Sequence, residues 1–403
     1  MGDRAISYDA VHIEVWEGTE AIRKRPGMYV GSTGIRGLHQ LVFEVVGRAV
    51  NEVLAVGGGC VDVTLTRDGG VRVTDDGPGV PVAAAGDTHG VGLEASLTRM
   101  HSGAGAGFGA GTGTSRRDTV TMTAFGMGAC VTNALSSRLT AEVRREQIRW
   151  VQEYARGVAV APPTTAGPVT GAETGSDTGT TIAFWPDADI FETTRCSFAV
   201  LAKRFRDVAL LNRGLSISLT DEQPLGGPRL VRFRFPGGPG DFVALLDAEA
   251  GAHVPPDVIV FEQEDTRMAG TVDVALSWSD SHEEHVRTFA NSVPTPEGGV
   301  HAEGFRDGMA AAVNAHARQH RLLTAAEPDL TADRIGEGLT AVVSVKLDHP
   351  QYLGSTHGEL GGAAVRDCVE QAVREHLGTW LARHPQEAAV VIGRMVRTTC
   401  REE

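Results

Sequence analysis

The chain has 403 residues and 41% apolar content, which gives a prior of about two to three domains with a sizeable core each and excludes disorder as the main state. Its 37 basic residues stand against 51 acidic ones, a net charge of −14, so it lacks the positive field of a dedicated nucleic-acid binder, and DNA contact is expected to be weak or absent. No stretch approaches the roughly 18 apolar residues of a membrane span and the first residues carry charge, so a soluble, cytoplasmic protein with no membrane or lipid attachment is expected.

Residues 1–20 carry little core and read as an arm. Leu38, Leu41, Val42, Val45, Val46, Ala49, Val50 and Val53 follow the i, i+3, i+4, i+7 rhythm of an amphipathic helix over Leu38–Leu54. Glu44, Gly47, Arg48, Asn51 and Glu52 gather on its other face, a polar stripe expected to meet solvent or a ligand. Strands follow over Val61–Thr66 and Gly70–Thr74, and the second runs into the tight turn Asp75-Asp76-Gly77-Pro78-Gly79. Residues 102–115 are too rich in glycine to hold one conformation cheaply and read as a lid. Beyond it, Phe125-Gly126-Met127-Gly128 opens a helix through Leu135, with strands at 139–145 and 181–185 and a surface loop at 161–180 between them. The pattern restarts past Asp221, with strands near 229–235, 270–278 and 338–347 and helices over 305–320 and 363–382. The expected division is an arm at 1–20, one domain at 21–221 and an α+β domain at 222–403. Cys60, Cys130, Cys196, Cys368 and Cys400 form no CxxC pair and read as reduced thiols, and no metal site is expected.

The order of these features carries chemistry. A carboxylate at the end of a strand can accept from the exocyclic amine of adenine, the glycines after it let a ring lie against backbone, and a helix start behind a lid can offer amides to phosphates. Tyr8-Asp9-Ala10, the run from Glu20 to Gly31, Asp75-Asp76-Gly77, Asn133-Ala134-Leu135-Ser136, Phe289-Ala290-Asn291 and Glu297-Gly298-Gly299 together resemble the N-terminal ATPase region of DNA gyrase B and its topoisomerase IV counterpart, from Tyr8 to about Val396. The resemblance implies an α+β chain: an ATP-binding α/β sandwich of the gyrase, Hsp90, histidine kinase and MutL type, then a transducer domain, with a homodimer formed through the arm. It also implies that the chain stops where the cleavage domain would begin, so that strand passage would lie outside it.

Carried over by position, Glu44 matches the general base and Asp75 the adenine-reading carboxylate. Gly79, Thr180 and Tyr29 match residues around the nucleotide, Arg145 an arginine at the pocket mouth, Gly126 and Gly128 glycines of the lid, and Tyr8 and Ile13 the arm. The phosphate end departs from the family. Arg48 replaces the magnesium-ligating asparagine and has no acceptor atom, and Asn51 lies about 10 Å along the axis from Glu44, a poor substitute. Pro78 stands for an arginine, Phe125 for the lid histidine, and Ser355-Thr356-His357 for the loop whose lysine touches the γ-phosphate; Arg116 and Arg117 lie near the missing lid lysine. Arg48 is expected to pair with Glu44, Glu52 or an anionic ligand.

Three functions follow as expectations. One is an ATP-binding clamp with impaired Mg²⁺-dependent hydrolysis. Another is a non-hydrolysing regulator of gyrase or decoy for its inhibitors. The third is a repurposed enzyme in which Glu44, Arg48 and His357 act on another small substrate, an adenine nucleotide or other small anion being the expected ligand.

Overall fold

The computed structural model describes residues 18–82, 92–100, 119–123, 126–168, 177–251, 258–324, 326–354 and 357–399, without the side chains of residue 168 and of the last three. Expectations for the arm residues Tyr8 and Ile13, the lid at 102–115, Arg116, Arg117, Phe125, Ser355, Thr356 and Cys400 fall outside these ranges.

The first half contains α1 (Gly18–Lys24), α2 (Gly27–Val30), α3 (Ile35–Leu54), β1 (Gly59–Leu65), β2 (Val71–Asp75), α4 (Leu93–Thr98), α5 (Ala129–Ala134) and β3 (Ser136–Arg145). It continues through β4 (Ile148–Ala155), β5 (Val158–Ala159), β6 (Thr164–Pro168), β7 (Gly179–Pro186), α6 (Phe198–Leu211), β8 (Leu215–Asp221) and β9 (Arg229–Arg234). The second half comprises α7 (Pro239–Glu249), β10 (Ile259–Asp265), β11 (Gly270–Trp278), β12 (His285–Ala290), β13 (Val293–Pro294), α8 (Val300–Gln319) and α9 (Ala332–Gly336). It ends with β14 (Leu339–Leu347), β15 (Tyr352–Leu353), β16 (Glu359–Leu360), α10 (Ala363–Arg383) and α11 (Pro385–Thr399).

The first sheet runs β5-β4-β3-β7-β2-β1-β8-β9, with β6 on β4, and only its β1–β8 pair is parallel. Burial along β2 and β7 alternates with every second residue, as period-two side chains require when helices cover one face. α3 lies on that face and buries Leu38, Leu41, Val42, Val45, Val46, Ala49, Val50 and Val53, the apolar positions its periodicity marks. The second sheet runs β10-β11-β14-β12-β13. Its central strands β11 and β14 are buried nearly end to end, because α8 and α10 pack on one face and α7 on the other. Leu210 and Leu211 of α6 join Phe242 and Val243 of α7 and Ala275, Phe289 and Val342 of the second sheet in a smaller cluster that welds the halves together. No described helix is long and apolar enough to cross a membrane.

Two boundaries differ from those expected from the residue pattern. β9 pairs with β8 along Ser216–Asp221, and Val231 and Phe233 pack on the first core, so the first sheet extends past Asp221 to Arg234. The loop expected at 161–180 includes β6, which pairs with β4 despite its proline and glycine because it sits at the margin of the sheet. The charged run before Met28 acts as a structural tie. Arg23 donates to the Ala134 carbonyl at 2.8 Å and to Asp187 Oδ2 at 2.6 Å, fastening α1 to the end of α5 and to the residue after β7.

One close approach fixes the carboxylate turn. Gly179 has φ +138°, and a Cβ there would sit 2.0 Å from the Asp75 carbonyl oxygen. Gly179→Ala is therefore expected to cost on the order of 3 kcal/mol of stability in urea unfolding, against less than about 0.5 kcal/mol for an exposed substitution such as Glu153→Ala. Equal losses for the two variants would contradict this packing.

Candidate functional site

The polar stripe of α3 is largely covered: Gly47, Arg48 and Glu52 are buried and Glu44 and Asn51 half-buried. A strap of five residues, Thr119–Thr123, crosses it. Asn51 makes a reciprocal pair with Val120, its Nδ2 donating to the Val120 carbonyl at 3.1 Å and its Oδ1 accepting from the Val120 amide at 2.7 Å. Met122 packs over Gly47, where a Cβ would lie 3.5 Å from the methionine side chain. Thr123 Oγ1 donates to Glu44 Oε1 at 2.7 Å and accepts from the Gly126 amide at 3.0 Å.

Glu44 is held by its own chain through both carboxylate oxygens. Besides Thr123, the Met127 amide donates to Oε1 at 3.1 Å and the Gly128 amide to Oε2 at 2.9 Å. Gly126 and Gly128 take φ of +54° and +85° with nothing near a would-be Cβ, so glycine is required there by backbone conformation and not by space. Burial pushes the Glu44 carboxyl up, and its three donors pull it back in part.

Arg48 pairs with Asp75. Its Nη2 lies 2.6 Å from Asp75 Oδ2, with the two side chains 6% and 0% exposed. The expectation of a partner at Glu44 or Glu52, one helical turn away, is thereby corrected: the strand-end carboxylate lies under the stripe and takes the guanidinium out of the helix surface. Asp75 Oδ1 accepts from the Gly77 and Thr180 amides, both at 3.1 Å. Arg48 Nε and Nη1 are shielded from solvent and have no partner among the described residues. Beside this pair, burial pushes the Glu52 carboxyl up, Arg48 and Arg145 pull it down, and Asp75 pushes it up.

Of the other sequence-selected residues, Thr180 and Gly79 join this group. Thr180 Oγ1 accepts from the Val80 amide at 3.2 Å, and Gly79, at φ +78°, passes so close to the Arg144 carbonyl that a Cβ would lie 2.5 Å from it. Arg145 Nη1 donates to the Gly79 carbonyl at 3.0 Å. Tyr29, on α2, packs against the first core. His357 lies apart: it stacks on Tyr352 at 4.4 Å between ring centroids, has φ +55°, and burial lowers its pKa. Among the described residues it shares no hydrogen bond or ion pair with Glu44 or Arg48, so the constellation Glu44, Arg48 and His357 is not assembled here.

Sequence reasoning missed the residues that hold the strap. Arg204 of α6 donates through Nη1 to the Ser292 carbonyl at 3.0 Å and through Nη2 to the Thr121 carbonyl at 3.2 Å, and burial pulls its pKa down to about 10. The Thr121 amide donates to the Asn291 carbonyl at 3.0 Å. Asn291 and Ser292 both have positive φ, and the Asn291 side chain is locked to the backbone of Leu347 by two bonds of 2.9 Å. The Phe289-Ala290-Asn291 motif was visible, but its partner across the halves was not.

The donor set does not fit a magnesium ion. Arg48 offers no acceptor, Asn51 Oδ1 is used by Val120, and both Glu44 oxygens are bound by N–H or O–H donors. Among the described residues no group of three His, Cys, Asp or Glu side chains is placed to hold a metal.

Comparison with known proteins agrees with the fold. The family described as histidine kinase-, DNA gyrase B- and HSP90-like ATPase matches residues 33–190, and the family described as DNA gyrase B matches residues 238–403. The DNA gyrase B protein of Streptomyces coelicolor is 43% identical over 97% of this chain and 57% of its own length; that of Mycobacterium tuberculosis is 38% identical over 96% and 59%. The chain thus spans somewhat more than half of these relatives. Among solved structures, the 43K ATPase domain of Thermus thermophilus gyrase B, in complex with an aminocoumarin, aligns with a TM-score of 0.79 at 31% identity over 95% of each chain. The topoisomerase IV ATP-binding domain of Francisella tularensis aligns with a TM-score of 0.74 at 26% identity, over 96% of this chain and 98% of that one.

Glu52 gives the site a readable pH signature. A carboxyl whose folded pKa lies above its unfolded value binds more protons when folded, so its contribution to stability falls as pH rises from the unfolded pKa through the folded one. The thermal stability of the wild type relative to Glu52→Gln is expected to decline as pH rises above the ordinary glutamate value of about 4.3. A difference that grows with pH would mean that Arg48 and Arg145 outweigh burial.

Proposed function

Since the chain belongs to the DNA gyrase B family, matching its ATPase and transducer region, we propose that it is a gyrase B-type nucleotide clamp whose pocket does not carry out Mg²⁺-dependent ATP hydrolysis. The observation that carries this reading is the 2.6 Å pair of Arg48 with Asp75. In the family arrangement Asp75 would read the exocyclic amine of adenine; here its second oxygen already accepts from a guanidinium. The same substitution removes the metal ligand. At the other end of the stripe, Glu44, the residue matched to the general base, is held by Thr123, Met127 and Gly128. A general base contributes some ~10²- to 10⁴-fold, which does not replace the electrostatic stabilisation a metal and a fixed cation provide.

Adenine nucleotides remain the reference ligands of the fold, and in this reading they compete with the protein's own side chains. Homodimerisation through residues 1–20 belongs to the same reading, because that segment carries the Tyr8-Asp9-Ala10 match and little core. Strand passage would depend on parts of gyrase that this chain does not match.

The test is ATP turnover and ATP affinity, each with and without magnesium, on a preparation whose mass by light scattering is that of a dimer. Wild-type turnover is expected at background, and Arg48→Asn should bind ATP at least about tenfold more tightly by freeing Asp75. Magnesium-dependent turnover by the wild type, abolished in Glu44→Gln, would overturn the reading.

A further inference from the structure

We propose that Arg48 converts the ring-reading end of this pocket from a hydrogen-bond acceptor into a donor, so that it selects a purine with a carbonyl at position 6, the guanine ring, over adenine. The proposal rests on the nucleotide-type reading above and goes beyond it by naming the ligand class.

Three observations carry it. First, the acceptor is engaged: Asp75 Oδ1 takes the Gly77 and Thr180 amides and Oδ2 takes Arg48 Nη2, so an exocyclic amine reaching Asp75 must share Oδ2 with a charge-assisted bond of 2.6 Å. Second, donors are left over. The Arg48 side chain is 6% exposed, yet Nε and Nη1 have no partner among the described residues. Buried N–H groups are rarely left unmatched, and a ligand that brings an acceptor makes the missing bond. Third, the charge is already compensated. Asp75 answers the guanidinium, and Glu52 and Arg145 stand beside the pair with opposite charges, so a neutral acceptor satisfies the remaining Arg48 donors without a further anion.

Guanine meets that demand. It carries an acceptor, O6, at position 6 where adenine carries amine hydrogens; both rings offer N7, so the choice rests on one donor–acceptor contact at position 6, where an Arg48 N–H meets O6 but would face the adenine amine donor against donor. A site with fixed polar groups rejects a ring of the wrong polarity more strongly than a merely apolar pocket rejects a wrong shape. The phosphate end contributes nothing to this choice, because Glu44 occupies the Met127 and Gly128 amides. Nucleosides therefore isolate ring selection from phosphate binding.

The experiment is calorimetric titration of the whole chain with guanosine and with adenosine, in magnesium-free buffer, for the wild type, Arg48→Asn and Arg48→Lys. Guanosine should bind the wild type at least about tenfold more tightly than adenosine, and Arg48→Asn should reverse the order. Arg48→Lys keeps a cation for Asp75 but lacks the Nε and Nη1 donors, and it should lose the guanosine preference while remaining folded by circular dichroism. Adenosine binding equal to or tighter than guanosine in the wild type, or no guanosine binding by folded protein, overturns the proposal. The wild-type comparison decides even if a variant fails to fold. Magnesium-dependent ATP turnover would instead overturn the non-hydrolysing reading and leave a guanosine preference standing, so the two failures are distinct.

Discussion

The buried ion pair of Arg48 and Asp75 is the constraint around which the first domain is arranged. A carboxylate removed from water needs its charge answered locally, and here it is answered from three sides: the guanidinium of α3, the Gly77 amide of the following turn and the Thr180 amide at the start of β7. Each partner sets a neighbour. The amide of Thr180 can reach only because Gly179 has no side chain, and the turn can fold back because Gly77 leaves room beside Glu52. Arg48 in turn holds the polar stripe of α3 against the sheet, which lets Gly47 and Asn51 receive the strap. Such a pair is weak evidence for net stability, since an apolar replacement of both residues can do as well, but losing one member alone leaves a buried charge exposed to its full desolvation cost.

The strap makes the pocket a shared property of the two halves. On one side Val120 is clipped to Asn51 and Thr123 to Glu44; on the other Thr121 is held by Arg204 and by the Asn291 carbonyl. Asn291 is in turn fixed to Leu347 at the end of β14, and Tyr352, which stacks on His357, donates to the Ala290 carbonyl at 2.9 Å. A run of hydrogen bonds, ending in the stack of Tyr352 on His357, therefore links the stripe of α3 to His357, although no hydrogen bond or ion pair joins Glu44 and His357 among the described residues. Opening the stripe to a ligand would break bonds at both ends of this run.

Much of the scaffold was legible in the residue pattern. α3 announces itself by eight apolar positions at helical spacing, and β11 and β14 by near-continuous burial-prone residues. β4, α6, β10, β12 and α11 were not, because charged residues interrupt their apolar ones and their faces are decided by what packs on them: α6 shows its role only when Leu210 and Leu211 meet Phe242 and Val243. β8, with Leu215, Ile217 and Leu219 alternating with Ser216, Ser218 and Thr220, and α7, with an apolar run at 242–246, carry a signal that the expectations omit. At the site, the grouping of Glu44, Gly47, Arg48 and Asn51 on one face could be read from spacing alone. The partner of Arg48 could not. Helical spacing offers Glu44 and Glu52, whereas Asp75 is brought beneath the helix only by the packing of α3 on β2; in the fold Glu44 is taken by Thr123, Met127 and Gly128, and Arg48 turns to the strand-end carboxylate. The strap was hidden for a different reason, since Thr119–Thr123 borders a glycine-rich run and its alternation, with Val120 and Met122 between threonines, is too short to show which element it meets.

The most direct measurement of the central claim is a double-mutant cycle in urea unfolding with Arg48→Met, Asp75→Asn and the double substitution. If the pair is formed and buried in the folded chain, each single variant loses more than the double variant would imply, and the coupling is expected at about 2 to 3 kcal/mol. A coupling within about 0.5 kcal/mol of zero would mean that Arg48 and Asp75 do not meet in the folded protein, and the account of a pocket filled by its own side chains would fail with it.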